Sequence, residues 1–202
     1  MRVVSGSAKG RPLKSVPGNG TRPTTDKVKE ALFSMIGPYF EGGAVLDLFA
    51  GTGGLGIEAL SRGMDSAVFV DMEHKSIETV RANLKAARVE EQAEVYRNDA
   101  ARALGALAKR GRSFDLVFLD PPYRLKHGDE LMLKMAAAQL LNEDAIVVLE
   151  HESGYDYPAE FPGFSRTRQA IYGETTISIY KYEAAAPEET ESGGEAQDES
   201  AN

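Results

Sequence analysis

The chain has 202 residues, a hydrophobic content of 42% and a formal net charge of −8. These values suit one globular domain with a sizeable core. No apolar run approaches the roughly 20 residues that a membrane-spanning helix needs, and the N-terminus lacks the apolar core of a secretory signal. Cysteine is absent, which excludes a disulfide framework, so a cytoplasmic protein is expected.

The charge is unevenly distributed along the chain. Residues 184–202 carry six acids and no base, and removing those six acids leaves a net charge of −2. Because this segment has few apolar residues, it is predicted to be a disordered acidic tail. Residues 1–29 instead carry seven Lys or Arg and one acid. Those cations are consistent either with ordinary solubility or with an arm that contacts phosphates.

The predicted elements begin with a segment punctuated by Gly and Pro. Residues 1–23 predict a loose hairpin or an extended basic arm, and a helix capped by Thr24 or Thr25 is predicted over 25–40. Strands and helices then alternate. Strands are predicted at 44–49, 67–71, 93–99, 114–120 and 145–151, and helices at 55–63, 74–87, 100–111 and 127–141. Two last strands, 164–173 and 175–183, predict an antiparallel hairpin with a Gly173-Glu174 turn.

This alternation predicts an α/β fold, with a parallel sheet, helices on both faces and one antiparallel strand near the end. The predicted divisions are a basic arm over 1–23, one domain over 24–183 and the tail over 184–202. In such sheets ligands bind beyond the carboxyl ends of the strands, near the point where the strand order reverses. A site is therefore expected in the loops that follow the first four strands.

The first strand leads into a glycine-rich loop. In "LDLFAGTGGLG", residues 46–56, the glycines Gly51, Gly53 and Gly56 fit the G-x-G-x-x-G pattern of a dinucleotide site. Asp71 ends the second strand, 20 residues after Gly51, where an acid would hold ribose hydroxyls. The pattern alone is therefore compatible with a nicotinamide oxidoreductase.

Asp47 favours a different cofactor. It lies four residues before the first glycine, in an otherwise apolar strand end, where the pyrophosphate of a dinucleotide gains nothing from a carboxylate. S-adenosylmethionine (SAM) carries an ammonium and a sulfonium, which do gain from one. A helix cap or a local salt bridge is the alternative role for Asp47. Asn98 and Asp99, after the third strand, suit the adenine amino group, although they also suit a helix N-cap.

The fourth strand ends in the unusual sequence Asp120-Pro121-Pro122-Tyr123. The Asp120 carboxylate and the Pro121 carbonyl are two acceptors that can bind both N–H bonds of a planar amino group, and so turn its lone pair toward a methyl donor. The two prolines fix that carbonyl at little entropic cost. Tyr123 offers a flat face, and base stacking on such a face is worth about 1–3 kcal/mol. An ordinary turn is the alternative interpretation.

Three segments together resemble the RsmD-type bacterial methyltransferases, which act on guanine N2 of 16S ribosomal RNA. They are "DLFAGTGGLGIEALSRG", "DPPY" and, as the most specific, "SGSAKGRPLKSVPGNGTRPTTDKVKEALFSMI". The resemblance covers about residues 1–183 and leaves only the acidic tail outside. It implies a class I SAM-dependent methyltransferase fold, Rossmann-like, with a seven-stranded sheet whose last strand is inserted antiparallel. It also implies that Arg22, Pro23 and Thr24 lie near the entrance for SAM and RNA.

The predicted function is therefore SAM-dependent methylation of a guanine N2 amino group in 16S ribosomal RNA. The predicted catalytic residues are Asp120, Pro121, Pro122 and Tyr123. The residues predicted to hold SAM are Asp47, Phe49, Gly51, Thr52, Gly53, Asp71, Asn98, Asp99, Ala100 and Thr24. The residues predicted to contact RNA are Lys9, Arg11, Arg22 and Arg124. The expected partner is 16S rRNA or a small-subunit particle, the expected state is a monomer, and no metal is expected because the three histidines lack ligand spacing.

Three other functions remain open on the sequence. A methyltransferase acting on DNA or another RNA base shares the DPPY sequence, but this chain has no room for a separate target-recognition domain. A nicotinamide oxidoreductase explains the glycines and Asp71 but not DPPY. A non-catalytic RNA-binding protein explains the basic arm but not the acids at four strand ends. A minor role for Glu150-His151, which ends the fifth strand, also stays open.

Overall fold

The computed structural model describes residues 1–18, 24–122 and 126–184. Its helices are α1 (Asp26–Ile36), α2 (Gly54–Ser61), α3 (His74–Ala87), α4 (Ala100–Lys109) and α5 (Gly128–Ala137). Its strands are β1 (Ala44–Leu48), β2 (Ser66–Asp71), β3 (Ala93–Arg97), β4 (Phe114–Leu119), β5 (Leu141–Glu152), β6 (Glu160–Phe161), β7 (Phe164–Tyr172) and β8 (Thr175–Tyr182). None of the helices in these ranges combines the length and the apolarity that crossing a bilayer requires.

The strands form one sheet in the order β3-β2-β1-β4-β5-β8-β7-β6. Strands β1 to β5 pair in parallel, whereas β8 lies antiparallel between β5 and β7. The predicted fold class is therefore confirmed, including the β7–β8 hairpin and its turn at Gly173. The strand order reverses beside β1, which places the expected ligand edge at the ends of β1 and β4.

Three details differ from the prediction. The sheet has eight strands instead of seven, because the two-residue β6 pairs with β7 and is too short to leave a periodic pattern in the sequence. Strand β5 also begins at Leu141, since α5 ends at Ala137 and not at residue 141. Helix α1 likewise ends at Ile36, because Gly37 takes a φ of 133° and Pro38 follows it.

The apolar core lies on both faces of the sheet. Helices α1, α2 and α3 cover one face through side chains such as Phe33, Ile57 and Val80. Helices α4 and α5 cover the other face through Leu104 and Met132. Strands that are buried on both faces read as continuous apolar runs, which is why the sequence shows them clearly.

The N-terminal segment packs against the same core as α1, α2 and α3. It doubles back on itself, with an isolated antiparallel bridge between Arg2 and Pro12. Three of its apolar side chains are buried in that core, namely Val3, Ala8 and Leu13. The division of the chain at residue 23 stays a prediction, and the predicted tail lies, apart from Ala184, outside the described residues.

A buried charge network attaches this segment to α2. The fully buried Glu58 carboxylate accepts hydrogen bonds from the backbone N–H groups of Val4 and Ser5, each at 2.9 Å. It also pairs with Lys29 Nζ at 3.2 Å and with Arg62 Nε at 2.8 Å. Both cations are themselves almost completely buried. One carboxylate therefore pairs with two buried cations and satisfies two backbone donors.

Candidate active site

The candidate site lies at the carboxyl edge of β1 to β5. The pairing of Leu48 with Leu119 and of Leu119 with Leu149 puts the ends of β1, β4 and β5 side by side. The pairing of Asp71 with Arg97 does the same for β2 and β3. Polar residues that are scattered along the chain are thereby brought to one edge of the sheet.

The glycine loop connects β1 to α2 in an unusual backbone conformation. Phe49, Gly51 and Gly53 all have positive φ, at 73°, 55° and 75°. Among the described residues, no atom lies within 4 Å of the position that a Cβ on Gly51 would take. The loop thus presents bare backbone to an open space, which is what close approach of a ligand requires.

Gly56 has a different role, because it lets α2 pack closely on β2. A Cβ at this position would lie 2.4 Å from the Phe69 ring. The third glycine of the pattern is therefore explained by helix–sheet packing.

We expect the substitution Gly56→Ala to destabilise the fold by about 1–3 kcal/mol, since the added methyl overpacks a rigid contact with Phe69. Thermal or urea unfolding measures this change. The matched control is Gly105→Ala in α4, where no described atom lies within 4 Å of the added Cβ. That variant should gain up to about 1 kcal/mol from helix propensity, and an equal loss in both variants would contradict the packing role of Gly56.

Asp71 orients the glycine loop. Its Oδ2 accepts a hydrogen bond from the Gly51 N–H at 2.9 Å, and its Oδ1 accepts one from the Glu73 N–H at 2.8 Å. The carboxylate is only half-buried and each oxygen has a further lone pair. Asp71 is therefore able to accept hydroxyl donors from a ligand held by the loop.

Asp47 is buried in β1, 4% exposed, and its Oδ2 accepts a hydrogen bond from the Gly56 N–H at 3.0 Å. Burial raises the pKa of this carboxyl to about 7, with the Gly56 N–H opposing the rise and the charge of Asp71 adding to it. Near neutral pH the carboxyl is therefore only partly ionised, and a cationic ligand nearby would favour its charged form.

Asn98 and Asp99 lie at the end of β3, next to Asp71. The Asn98 N–H donates to the Asp71 carbonyl at 3.0 Å, and Asp99 caps α4 by accepting from the Arg102 N–H at 3.2 Å. The capping role that the sequence left open is thus present. The capping hydrogen bond uses Oδ1 of Asp99, whose side chain is exposed. Ala100 is the first residue of α4.

Asp120 and Pro121 follow β4 at the centre of the edge. Asp120 reaches solvent, yet the protein atoms around it desolvate its carboxyl, and this raises its pKa well above the ordinary value. The nearby carboxyls of Glu150 and Asp47 raise the pKa further. Pro121 is buried and Pro122 is exposed, whereas Tyr123 and Arg124 lie outside the described residues.

A recess beside Pro121 was not identified from the sequence. Its lining consists of Pro121, Lys126, Glu150, His151, Glu152, Tyr155 and Tyr157. Burial lowers the pKa of His151, and its ring hydrogen-bonds to Ser178 Oγ at 2.9 Å and to the Glu152 carbonyl at 3.1 Å. His151 is thus held by the fold. The Glu-His pair at a strand end was the only signal of this recess in the sequence.

The two described members of the predicted RNA-contacting set, Lys9 and Arg11, lie away from this edge. Lys9 is exposed on the segment that packs at Ser61, which is the end of α2 away from the glycine loop. Arg11 is half-buried and donates to the Ala86 carbonyl at 3.4 Å. Arg22 lies outside the described residues, and Thr24 directly precedes Thr25, the N-cap of α1.

A contact between the N-terminal segment and the glycine loop runs through Asn83, which the sequence did not reveal. The buried Asn83 side chain donates to the carbonyls of Lys14 and Thr52, each at 2.9 Å. It also accepts from the Lys14 N–H at 2.7 Å. The exposed Lys14 is therefore a basic residue whose backbone is linked to the loop.

Among the described residues, no group of three or more His, Cys, Asp or Glu could hold a metal ion.

Comparisons with known proteins give a consistent result. Residues 1–181 match the model of a family described as "Conserved hypothetical protein 95". A Bacillus subtilis protein named "Putative rRNA methyltransferase YlbH" is 54% identical over 181 residues, 90% of this chain and 98% of that protein. The Escherichia coli K12 protein named "Ribosomal RNA small subunit methyltransferase D" is 31% identical over 184 residues, 91% of each chain. The solved structure described as "Putative methyltransferase yhhF from Escherichia coli" matches with a TM-score of 0.76 at 32% identity, over 92% of this chain and 99% of that one.

Proposed function

We propose that this protein uses SAM to methylate a guanine N2 amino group in 16S rRNA, because the chain belongs to the conserved hypothetical protein 95 family of RsmD-type methyltransferases. The observation that carries this proposal is the position of Asp120-Pro121 beside the glycine loop. Leu48 and Leu119 are register partners, so β1 and β4 end side by side. The glycine loop that would hold the methyl donor follows β1. The two acceptors for the amino group, Asp120 and Pro121, follow β4.

The residues around the glycine loop fit SAM. Bare backbone at Gly51 faces open space, and Asp71 has free lone pairs for the ribose hydroxyls. Asp47 would interact with the ammonium, and Asp99 with the adenine amino group through its second oxygen. Phe49, Thr52, Gly53, Asn98 and Ala100 belong to the loops that carry these groups, and Thr24 precedes α1.

The chemistry follows from how the chain holds the amino group. SAM supplies a methyl group that its positive sulfonium already activates. The Asp120 carboxylate and the Pro121 carbonyl accept the two N–H bonds, so the amino lone pair points at the methyl carbon. The N–C bond forms from that lone pair as the C–S bond breaks, the C–S electron pair stays on sulfur, and N2 releases one proton.

Asp120 would accept that proton. Its raised pKa brings the basicity of its carboxylate nearer to neutral pH, where a general base is most effective. Most of the acceleration would still come from positioning, since the methyl donor needs no further activation.

The proposed substrate base is turned out of its RNA stack before transfer, which costs a few kcal/mol. Stacking on Tyr123 would offset much of this cost. Lys9, Arg11, Arg22 and Arg124 would contact phosphates as a monomeric, cytoplasmic enzyme docks on 16S rRNA or on a small-subunit particle. The E. coli relative named for small-subunit rRNA supports this class of substrate.

The test is to incubate the protein with isotopically labelled SAM and, in separate reactions, naked 16S rRNA, assembled small subunits or duplex DNA. We expect label in one of the two RNA samples and none in DNA. No label in either RNA sample would overturn the proposal. Label in DNA alone would favour the DNA amino-methyltransferase.

A second expected result concerns Asp47. Since its carboxylate would face the SAM ammonium, Asp47→Asn should weaken SAM binding about 10–100-fold, the effect of one hydrogen bond to a charged group. Wild-type affinity should also fall as the pH drops from 7 to 5.5, because protonation of a carboxyl with a pKa of about 7 removes the charge that the ammonium needs. Isothermal titration calorimetry at several pH values measures both effects.

The same variant carries its own control. In the ligand-free protein the raised pKa of Asp47 means that stability falls as the pH rises from about 4 through 7, because the ionised buried carboxyl is the costly form. Asp47→Asn should therefore unfold at a higher temperature than wild type at pH 8 while it binds SAM more weakly. If the SAM affinity of Asp47→Asn fell with decreasing pH as steeply as that of wild type, the proposed contact between Asp47 and the SAM ammonium would be contradicted.

A further inference from the structure

Glu150 is a carboxyl at the centre of the edge that the mechanism above does not use. Leu119 and Leu149 are register partners in the parallel pair β4–β5, so Asp120 and Glu150 follow them side by side. Pro121 and Glu150 also line the same recess. Glu150 therefore lies where a base held by Asp120 and Pro121 would present its neighbouring atoms.

The fold itself gives Glu150 no evident task. Among the described residues, no cation and no N–H group pairs with its carboxyl, whereas two other carboxyls at this edge, Asp47 and Asp71, each accept from backbone N–H groups. Burial raises the pKa of Glu150, so the uncompensated carboxyl is a cost to the folded protein. Unpaired, partly buried acceptors of this kind are typical of ligand-binding positions.

The chemistry of the nucleobases indicates what this acceptor would bind. Guanine carries a ring N1–H directly beside its exocyclic amino group, so its edge shows two adjacent donors. Adenine and cytosine carry an unprotonated ring nitrogen in the corresponding place, so their edge shows a donor beside an acceptor. A third acceptor next to the pair that holds the amino group therefore complements guanine and repels the other two bases.

We propose that Glu150 accepts the N1–H of the target guanine and thereby selects guanine among the amino-bearing bases. This inference rests on the proposed function. Asp120 and Pro121 hold the group that receives the methyl, and Glu150 identifies the ring to which it is attached. Lys126 lines the same recess, with its Nζ 5.0 Å from the centre of the Tyr155 ring, and would be a donor for guanine O6.

The test changes the target base in the RNA and one side chain in the protein. The RNA substrates carry either guanine or 2-aminopurine at the target position, in whichever form of rRNA, naked or assembled, accepts label. 2-Aminopurine keeps the 2-amino group but has an unprotonated N1 and lacks O6. The change of preference between variants, and not the wild-type preference alone, therefore reports the contact with N1. The protein variants are wild type, Glu150→Gln and, as a matched control, Glu152→Gln, the same change two residues along the strand in the same recess.

We expect wild type to prefer guanine by about 10–100-fold in kcat/KM, the range that one well-placed base contact gives. In Glu150→Gln the side-chain amide can turn its NH₂ toward N1, so that preference should shrink at least about tenfold. Glu152→Gln should keep the wild-type preference. The ratio of kcat/KM for the two substrates within one variant does not depend on the fraction of enzyme that is folded. Partial misfolding of a variant therefore cannot account for a change in that ratio.

Binding provides a second measurement that is independent of methyl transfer. The affinity of each variant for the two RNAs should show the same change of preference, with the fluorescence of 2-aminopurine reporting its capture in the site. An unchanged preference in Glu150→Gln, with both substrates weakened alike, would overturn the role of Glu150 and leave the proposed function standing. Failure of wild type to methylate the guanine RNA in either form would instead overturn the proposed function itself, and this inference with it.

Discussion

Asp120→Ala is expected to lower kcat by about 10²–10⁴-fold while SAM affinity stays within about threefold of wild type. The variant removes one of the two acceptors that hold the amino group, and with it the group that takes the proton, so both positioning and general-base assistance are lost. Asp120→Asn keeps one acceptor oxygen and should lose less activity than Asp120→Ala. Single-turnover methylation and calorimetric titration of SAM separate the two quantities.

The control for this prediction is Glu130→Gln, which removes an exposed carboxyl in the first turn of α5. It should leave both methyl transfer and SAM affinity unchanged. A large loss of SAM affinity in Asp120→Ala would show that Asp120 belongs to the cofactor site and not to the acceptor pair.

Glu58→Ala is expected to destabilise the protein by about 3–5 kcal/mol, because it leaves Lys29 and Arg62 buried without a counter-charge. It also removes the acceptor for the N–H groups of Val4 and Ser5. For a chain of this size the loss corresponds to a fall in Tm of about 6–20 °C. Thermal and urea unfolding, with Glu130→Gln again as the surface control, measure the change.

A loss below about 1 kcal/mol for Glu58→Ala would contradict the central position of this carboxylate. A triple variant that replaces Glu58, Lys29 and Arg62 with apolar residues of similar volume tests the reason directly. Since the cost arises from uncompensated buried cations, the triple variant should be more stable than Glu58→Ala.

The sequence predicts the fold well because its signals are local. Strands β1, β2 and β4 are buried on both faces, so they appear as apolar runs. Caps and breakers such as Thr25 and Gly37 mark the ends of α1 within about four residues. Strand β6 was not predicted, because a strand of two residues is too short to show an alternating pattern of apolar and polar residues. Its pairing with β7 depends on the chain geometry around it.

The candidate site was predictable only in part. The glycine loop and the Asp120-Pro121-Pro122-Tyr123 sequence are contiguous motifs, and their residue types indicate chemistry directly. The recess that joins Pro121 to Glu150, and the link from Lys14 through Asn83 to Thr52, bring together positions far apart in the chain. Such contacts depend on sheet order and register, which no local pattern specifies.

In the proposed reaction, Asp120 and Pro121 direct a methyl group to guanine N2 of small-subunit rRNA. The most direct measurement is mass spectrometry of the nucleosides released from 16S rRNA or small subunits after incubation with SAM and either wild-type protein or Asp120→Ala. We expect N2-methylguanosine with wild type and almost none with Asp120→Ala. A different methylated nucleoside, or equal amounts of N2-methylguanosine with both proteins, would contradict it.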